Sequence, residues 1–118
     1  MFMVKRIYDA PAPDDGYRVL VDRLWPRGVS KERADIDEWL KDVAPSTDLR
    51  RWFHQNPPGD EVLDEFRHRY EDELDANPAV DALRELGRTH PTVTLLVGAR
   101  DPDRNHATVL QQYLEHHP

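Results

Sequence analysis

Two apolar runs set far apart constrain this chain more than any other feature: Val19-Leu20-Val21 inside Arg18 to Leu24, and Val93-Thr94-Leu95-Leu96-Val97. Neither alternates apolar with charged residues, so each reads as a strand covered on both faces. Such strands belong to parallel sheets, because the long crossover between parallel strands lays helices over the sheet. A weaker strand is expected at residues 3–8, MVKRIY, before the turn Ala10-Pro11-Ala12-Pro13-Asp14-Asp15-Gly16.

Helical patterns fill the interval between the runs. Ser30 can cap a short turn through Lys31 to Ala34, and Ile36, Trp39, Leu40 and Val43 fall on one side of a helix by spacing alone. Ser46, Thr47 or Asp48 can cap a helix that buries Leu49, Trp52 and Phe53. From Asp60 a longer helix carries the stripe Leu63, Phe66, Tyr70 and Leu74, opposite the acids concentrated between Asp60 and Asp75. Asn77-Pro78 starts another, with Ala79, Ala82, Leu83 and Leu86 inward and Gly87 as its stop. The last helix presents Val109, Leu110, Tyr113 and Leu114, and its cap is either Asp101, with Pro102 in the first turn, or Asp103, with Arg104 there. Strands separated by helices define an α/β fold: one small layered domain over residues 1–118, with a short, mostly parallel sheet flanked by helices.

Several function classes are disfavoured. Sixteen basic and 23 acidic residues give a net charge of −7, a sign that opposes phosphate-backbone attraction and argues against nucleic acid as the partner. There is no cysteine, hence no disulfide, thiolate metal site or cysteine nucleophile. No segment has the length of a membrane span or the apolar core of a signal peptide, so no membrane partner and a cytoplasmic location are expected. No phosphate loop, dinucleotide fingerprint or nucleophile elbow is present, and no motif names a cofactor or an oligomeric state. No histidine pair has the helical spacing of a zinc motif, so no metal site is expected. Trp25, Trp39, Trp52 and Phe53 read as core or loop anchors rather than a stacking platform.

Polar sites in parallel sheets form at the carboxyl ends of strands. Two loops qualify: Asp22-Arg23-Leu24-Trp25-Pro26-Arg27-Gly28, and Gly98-Ala99-Arg100-Asp101 leading to Asn105-His106. If their strands are parallel neighbours, Arg23 or Arg27, Arg100 and the first N–H groups of the last helix converge, an arrangement suited to phosphate, nucleotide or carboxylate. His106, near the positive end of that helix, is expected to stay neutral and to be available for proton transfer. Asp22 or Asp101 can orient its ring, and Asn105 can hold a ligand atom. A purely structural network is the alternative, with Arg23 or Arg100 paired to Asp22 or Asp101 and His106 bonded to a backbone carbonyl. The expected partner is an anionic small molecule. The competing function is a non-enzymatic interaction or regulatory module that uses Trp25-Pro26-Arg27 and the acidic helix as surfaces.

The same residues carry a resemblance. Arg18 to Gly28, Trp39-Leu40-Lys41 with Ala44-Pro45-Ser46, Leu49-Arg50-Arg51-Trp52-Phe53, Phe66 to Leu74, and Gly98-Ala99-Arg100-Asp101 with Asn105-His106-Ala107 resemble the YeaO-like bacterial family of unknown function, DUF488, over nearly the whole chain. The resemblance implies a small α/β domain with a strand over residues 36–42, against the helical spacing there. It implies no established reaction. It draws attention to Asp22, Arg23, Trp25, Arg27, Gly98, Arg100, Asp101, Asn105 and His106, with Lys41, Ser46 and Arg50 behind them. Some relatives carry a transcription-regulator label, which the acidic balance and the lack of a helix-turn-helix pattern argue against transferring. More distant relatives carry a cysteine-histidine pair where this chain has Asn105-His106, so thiol chemistry does not carry over.

Overall fold

A computed structural model describes residues 1–101 and 104–118. Its strands β1 (Phe2–Arg6), β2 (Tyr17–Leu20), β3 (Glu38–Trp39) and β4 (Val93–Val97) form one sheet in the order β1-β4-β2-β3. All three neighbouring pairs are parallel. The helices are α1 (Lys31–Ala34), α2 (Thr47–Gln55), α3 (Asp60–Asp75), α4 (Val80–Thr89) and α5 (His106–His116).

Alternation along the strands divides the core. Val19 and Val21 of the β2 segment and Val93, Leu95 and Val97 of β4 join Phe66, Tyr70, Leu83, Leu110 and Tyr113 in the main core, on the face that α2 to α5 cover. Leu20 and Leu96 point the other way, into a smaller cluster with Ile7, Val29 and Ala34, roofed by Trp25, Ile36 and Trp39. Both faces are therefore covered, which is why the two apolar runs do not alternate with charge.

The thinner face also holds a buried polar network. Arg18 and Asp15 are only 4% and 5% exposed. The Arg18 guanidinium donates to the Asp15 carboxylate, and it reaches the Asp35 and Ala34 carbonyls at 2.8 Å each. Lys5 Nζ lies 3.1 Å from both Asp15 oxygens, and Thr94 Oγ1 donates to the Asp15 carbonyl at 2.6 Å. Burial pushes the Asp15 carboxyl up, but the Ala12 N–H, Lys5 and Arg18 outweigh it and hold the group below its ordinary value.

Local expectations are met unevenly. Ser30 and Ser46 cap α1 and α2 as their positions suggest, whereas Asn77 accepts the Ala79 N–H in a turn that precedes α4, which starts only at Val80, so Asn77 is not its cap and Pro78 is not its first residue. Residues 36–43 are neither a helix nor a strand of full length: β3 is two residues, followed by a 3-10 turn at Lys41–Val43. Tertiary contacts override the helical spacing, since β3 pairs with β2 and Trp39 Nε1 donates to the Asp22 carbonyl at 2.7 Å. The second strand is also shorter than its apolar run, ending at Leu20 although Val21 still bonds the Leu96 carbonyl. Gly87 does not stop α4, which continues to Thr89; a Cβ at Gly87 would stand 2.7 Å from Phe2 Cζ, so the glycine permits close packing on β1. Ala82 faces solvent rather than the core. Asn105, and not Asp101, caps α5; Pro102 and Asp103, on which the other capping choice turns, lie outside the described residues.

Candidate functional site

Because β2 and β4 are paired and parallel, the loops that follow them leave the same edge of the sheet. One bond fastens them together: Asp22 Oδ2 accepts the Gly98 N–H at 2.7 Å. A Cβ at Gly98 would stand 3.1 Å from that oxygen and 3.6 Å from Pro26 Cβ. The glycine thus eases the close approach of the carboxylate, and no unusual backbone angle calls for it.

His106 closes the other side of this corner. Its Nε2 lies 3.0 Å from the Val21 carbonyl and 3.4 Å from Asp22 Oδ1. Burial lowers the proton affinity of the imidazole more than Asp22 and the Val21 carbonyl raise it, and the charge of Arg50 adds to the lowering. A neutral ring at neutral pH donates from Nε2 to the Val21 carbonyl. Burial likewise raises the Asp22 carboxyl, against His106, the Gly98 N–H and Arg50. The two groups therefore sit side by side as a neutral ring and a desolvated acid rather than as an ion pair. The helix end was the expected reason for a neutral His106; burial is the larger one.

Asn105 is buried, and its amide is engaged at both ends. Oδ1 accepts from the N–H groups of Ala107 and Thr108 at 2.9 and 3.2 Å, and Nδ2 donates to the Asp101 carbonyl at 2.9 Å. This cap takes up two of the first-turn N–H donors that an anion would otherwise use. Asp101 Oδ1 accepts the Arg104 N–H at 3.1 Å. Trp25 anchors its own loop: Nε1 donates to the Val29 carbonyl at 2.7 Å, and the ring meets Trp39 edge-on at 5.4 Å. The loop turns at Gly28, whose φ of 74° lies in the left-handed region.

All nine residues that the sequence and the resemblance single out line one cleft of about 750 Å³. Arg50 joins them from α2, while Lys41 lies over the Trp39 ring at 5.3 Å and Ser46 donates to Glu73 Oε2 at 2.6 Å, both away from the cleft. Tyr8, Phe53, His54 and Arg104 also line it and were not anticipated. Tyr8 follows the carboxyl end of β1, where the strand-end rule applies equally. Arg50, Phe53 and His54 share the helical i, i+3, i+4 spacing, which places them on one face of α2.

The arginines separate into two groups. Of the thirteen in the chain, Arg18, Arg51, Arg67, Arg69, Arg84, Arg88 and Arg104 pair with a carboxylate. The other six have no carboxylate partner among the described residues: Arg23, Arg27, Arg50 and Arg100 line the cleft, and Arg6 and Arg33 lie outside it. Arg23 Nη2 instead donates to the Ala44 and Pro45 carbonyls at 3.2 and 3.4 Å. Of the structural alternative, the ion pairs of Arg23 or Arg100 with Asp22 or Asp101 are not present among the described residues, whereas the bond of His106 to a backbone carbonyl, that of Val21, is.

The molecule is thus a small α/β domain with an all-parallel sheet and an arginine-lined cleft at the carboxyl edge of that sheet. The chain belongs to the DUF488 family: the family model described as the inactive DUF488-N3 subclade matches residues 1–117. An uncharacterised protein of Mycobacterium tuberculosis is 47% identical over 112 residues, covering 94% of this chain and 91% of the relative. Its counterpart in Mycobacterium bovis matches to the same extent, and the uncharacterised protein YeaO of Escherichia coli is 43% identical over 113 residues, 93% of each chain. No solved structure matches. Among the described residues, no helix is long and apolar enough to cross a membrane.

Proposed function

We propose that the cleft binds an anionic small molecule through phosphate or carboxylate groups, and that the protein acts by binding rather than by turnover. The observation that carries this reading is the set of four arginines without carboxylate partners among the described residues, gathered on one cleft of a chain whose net charge is −7. Along the surface of α2, α3 and α4, five arginines instead pair with acids three or four residues away. Guanidinium groups present paired N–H donors that match phosphate and carboxylate, and a concave site focuses their field. Asn105 consumes helix donors, so the charge falls to the side chains of Arg23, Arg27, Arg50 and Arg100.

Acid/base chemistry by His106 has less support. Its Nε2 is committed to the Val21 carbonyl, so a proton would have to move through Nδ1. The family description names an inactive subclade, which points the same way. A partner surface built on Trp25-Pro26-Arg27 is weakened because Pro26 is buried and the Trp25 ring packs on Trp39.

The test is calorimetric titration with inorganic phosphate, a nucleoside monophosphate and a dicarboxylate, on the wild type and on Arg50→Ala and Arg100→Ala. Saturable binding to at least one, weakened tenfold or more by either substitution, is expected. Absence of binding by all three, or binding indifferent to both substitutions, overturns the reading.

A further inference from the structure

We infer that the ligand is an aromatic organic anion, one carrying a ring beside its charged group, rather than a free inorganic anion. This rests on the anion reading above and specifies what else the cleft must hold. Three observations lead to it.

The first is size. A cleft of about 750 Å³ falls within the range of roughly 300–1,000 Å³ typical of sites for organic molecules. An inorganic oxyanion fills only a few water volumes of about 30 Å³ each. The second is where apolar surface is left open. The exposed large hydrophobic side chains of the protein are Met1, Met3, Tyr8 and Leu24, and the last two, 37% and 62% exposed, both stand on the cleft. Met1 and Met3 belong to the amino-terminal strand region and have no such setting.

The third observation is that charge and apolar surface are interleaved. Leu24 follows Arg23 directly. Tyr8 Oη donates to the Arg27 carbonyl at 3.2 Å, and the Arg6 guanidinium lies 5.4 Å from the Tyr8 ring while its Nε donates to the Ala99 carbonyl at 2.8 Å. An anion held in this cleft therefore shares it with the exposed Tyr8 ring and the exposed Leu24. Phe53 and Trp25, which also line the cleft, add half-buried ring surface. An aromatic ring gains from stacking against such rings and from covering the leucine, whereas a bare oxyanion leaves both in water.

Matched pairs of probes test the inference: phenyl phosphate against inorganic phosphate, and benzoate against acetate, titrated by calorimetry. The aromatic member of each pair is expected to bind at least tenfold more tightly. In the double variant Tyr8→Ser, Leu24→Ser that preference falls toward one; both side chains are exposed, and an unchanged melting temperature verifies the fold. Equal affinity within each pair, or a preference that survives the double variant, overturns the inference while leaving the anion reading in place. Binding of phenyl phosphate that is indifferent to both Arg50→Ala and Arg100→Ala overturns the anion reading instead. No binding by any probe overturns both.

Discussion

Replacing Asp15 with alanine removes the only carboxylate that pairs with the buried Arg18 guanidinium among the described residues, while Asp37 stays bonded to the Arg18 backbone N–H. Arg18 keeps the Asp35 and Ala34 carbonyls, which satisfy two of its donor positions but not its charge. Breaking one partner from a buried pair costs about 3–5 kcal/mol. Lys5 adds little, since its side chain is 22% exposed and can turn to water, a contribution of about 0–1 kcal/mol. A loss of about 3–5 kcal/mol is a large share of the roughly 5–15 kcal/mol that holds a typical domain. At roughly 3–6 °C per kcal/mol for a chain of this size, the melting temperature should fall by about 10–25 °C. Urea unfolding at pH 7 measures the loss directly. Because the Asp15 carboxyl is held below its ordinary value of 3.8, its stabilisation is complete above that pH and disappears as pH falls through the lowered value. The gap between wild type and variant should therefore close in acid. Adding Arg18→Met to Asp15→Ala should recover part of the loss by removing the stranded charge. A cost under about 1 kcal/mol at pH 7, or a gap that stays constant into acid, would refute the account.

Three further predictions concern the site and its frame. Gly16 has a φ of 65° and an added Cβ would lie 2.3 Å from the Thr92 carbonyl oxygen, whereas one at Gly98 would lie 3.1 Å from a side-chain oxygen that can give; Gly16→Ala should destabilise more than Gly98→Ala, and equal midpoints in urea would contradict this. His106 is held below its ordinary 6.5, so its contribution to stability is complete above that pH and is lost as pH falls below it; His106→Gln should flatten this dependence in thermal melts. Arg50→Gln should raise the His106 titration midpoint measured by NMR, and an unmoved midpoint would show that the guanidinium does not act on the ring.

The parts legible in the sequence were those fixed by burial on both sides of a strand. Val19 to Val21 and Val93 to Val97 announced themselves because no solvent face interrupts them, and their parallel pairing then brings Asp22 to Gly98. The arginines, His106 and Trp25 followed from the strand-end rule. The cap of α5 was not legible: Asp101, Asp103 and Asn105 are all competent, and what distinguishes Asn105 is that its amide also reaches the Asp101 carbonyl. Residues 36–43 misled because their spacing fits a helix while the edge of β2 and the Asp22 carbonyl make a strand and turn more favourable. Asp15 read as an ordinary turn residue, since nothing in its neighbours indicates that the chain folds back to bury it with Arg18. Phe53 reaches the cleft through the packing of α2 and Arg104 through the loop before α5, where it pairs with Asp60; pattern alone specifies neither.

Asp22 ties the loop after one strand to the loop after its neighbour, and Val21 holds the imidazole, so two hydrogen bonds brace the floor of the cleft. The guanidinium groups above it stand on long stems, and three of the four, Arg27, Arg50 and Arg100, are exposed. Immobilising each such side chain costs about 0.5–1.5 kcal/mol when something is gripped. A stiff base under adjustable arms gives a receptor that tolerates variety in the outline of its guest and is strict about its sign.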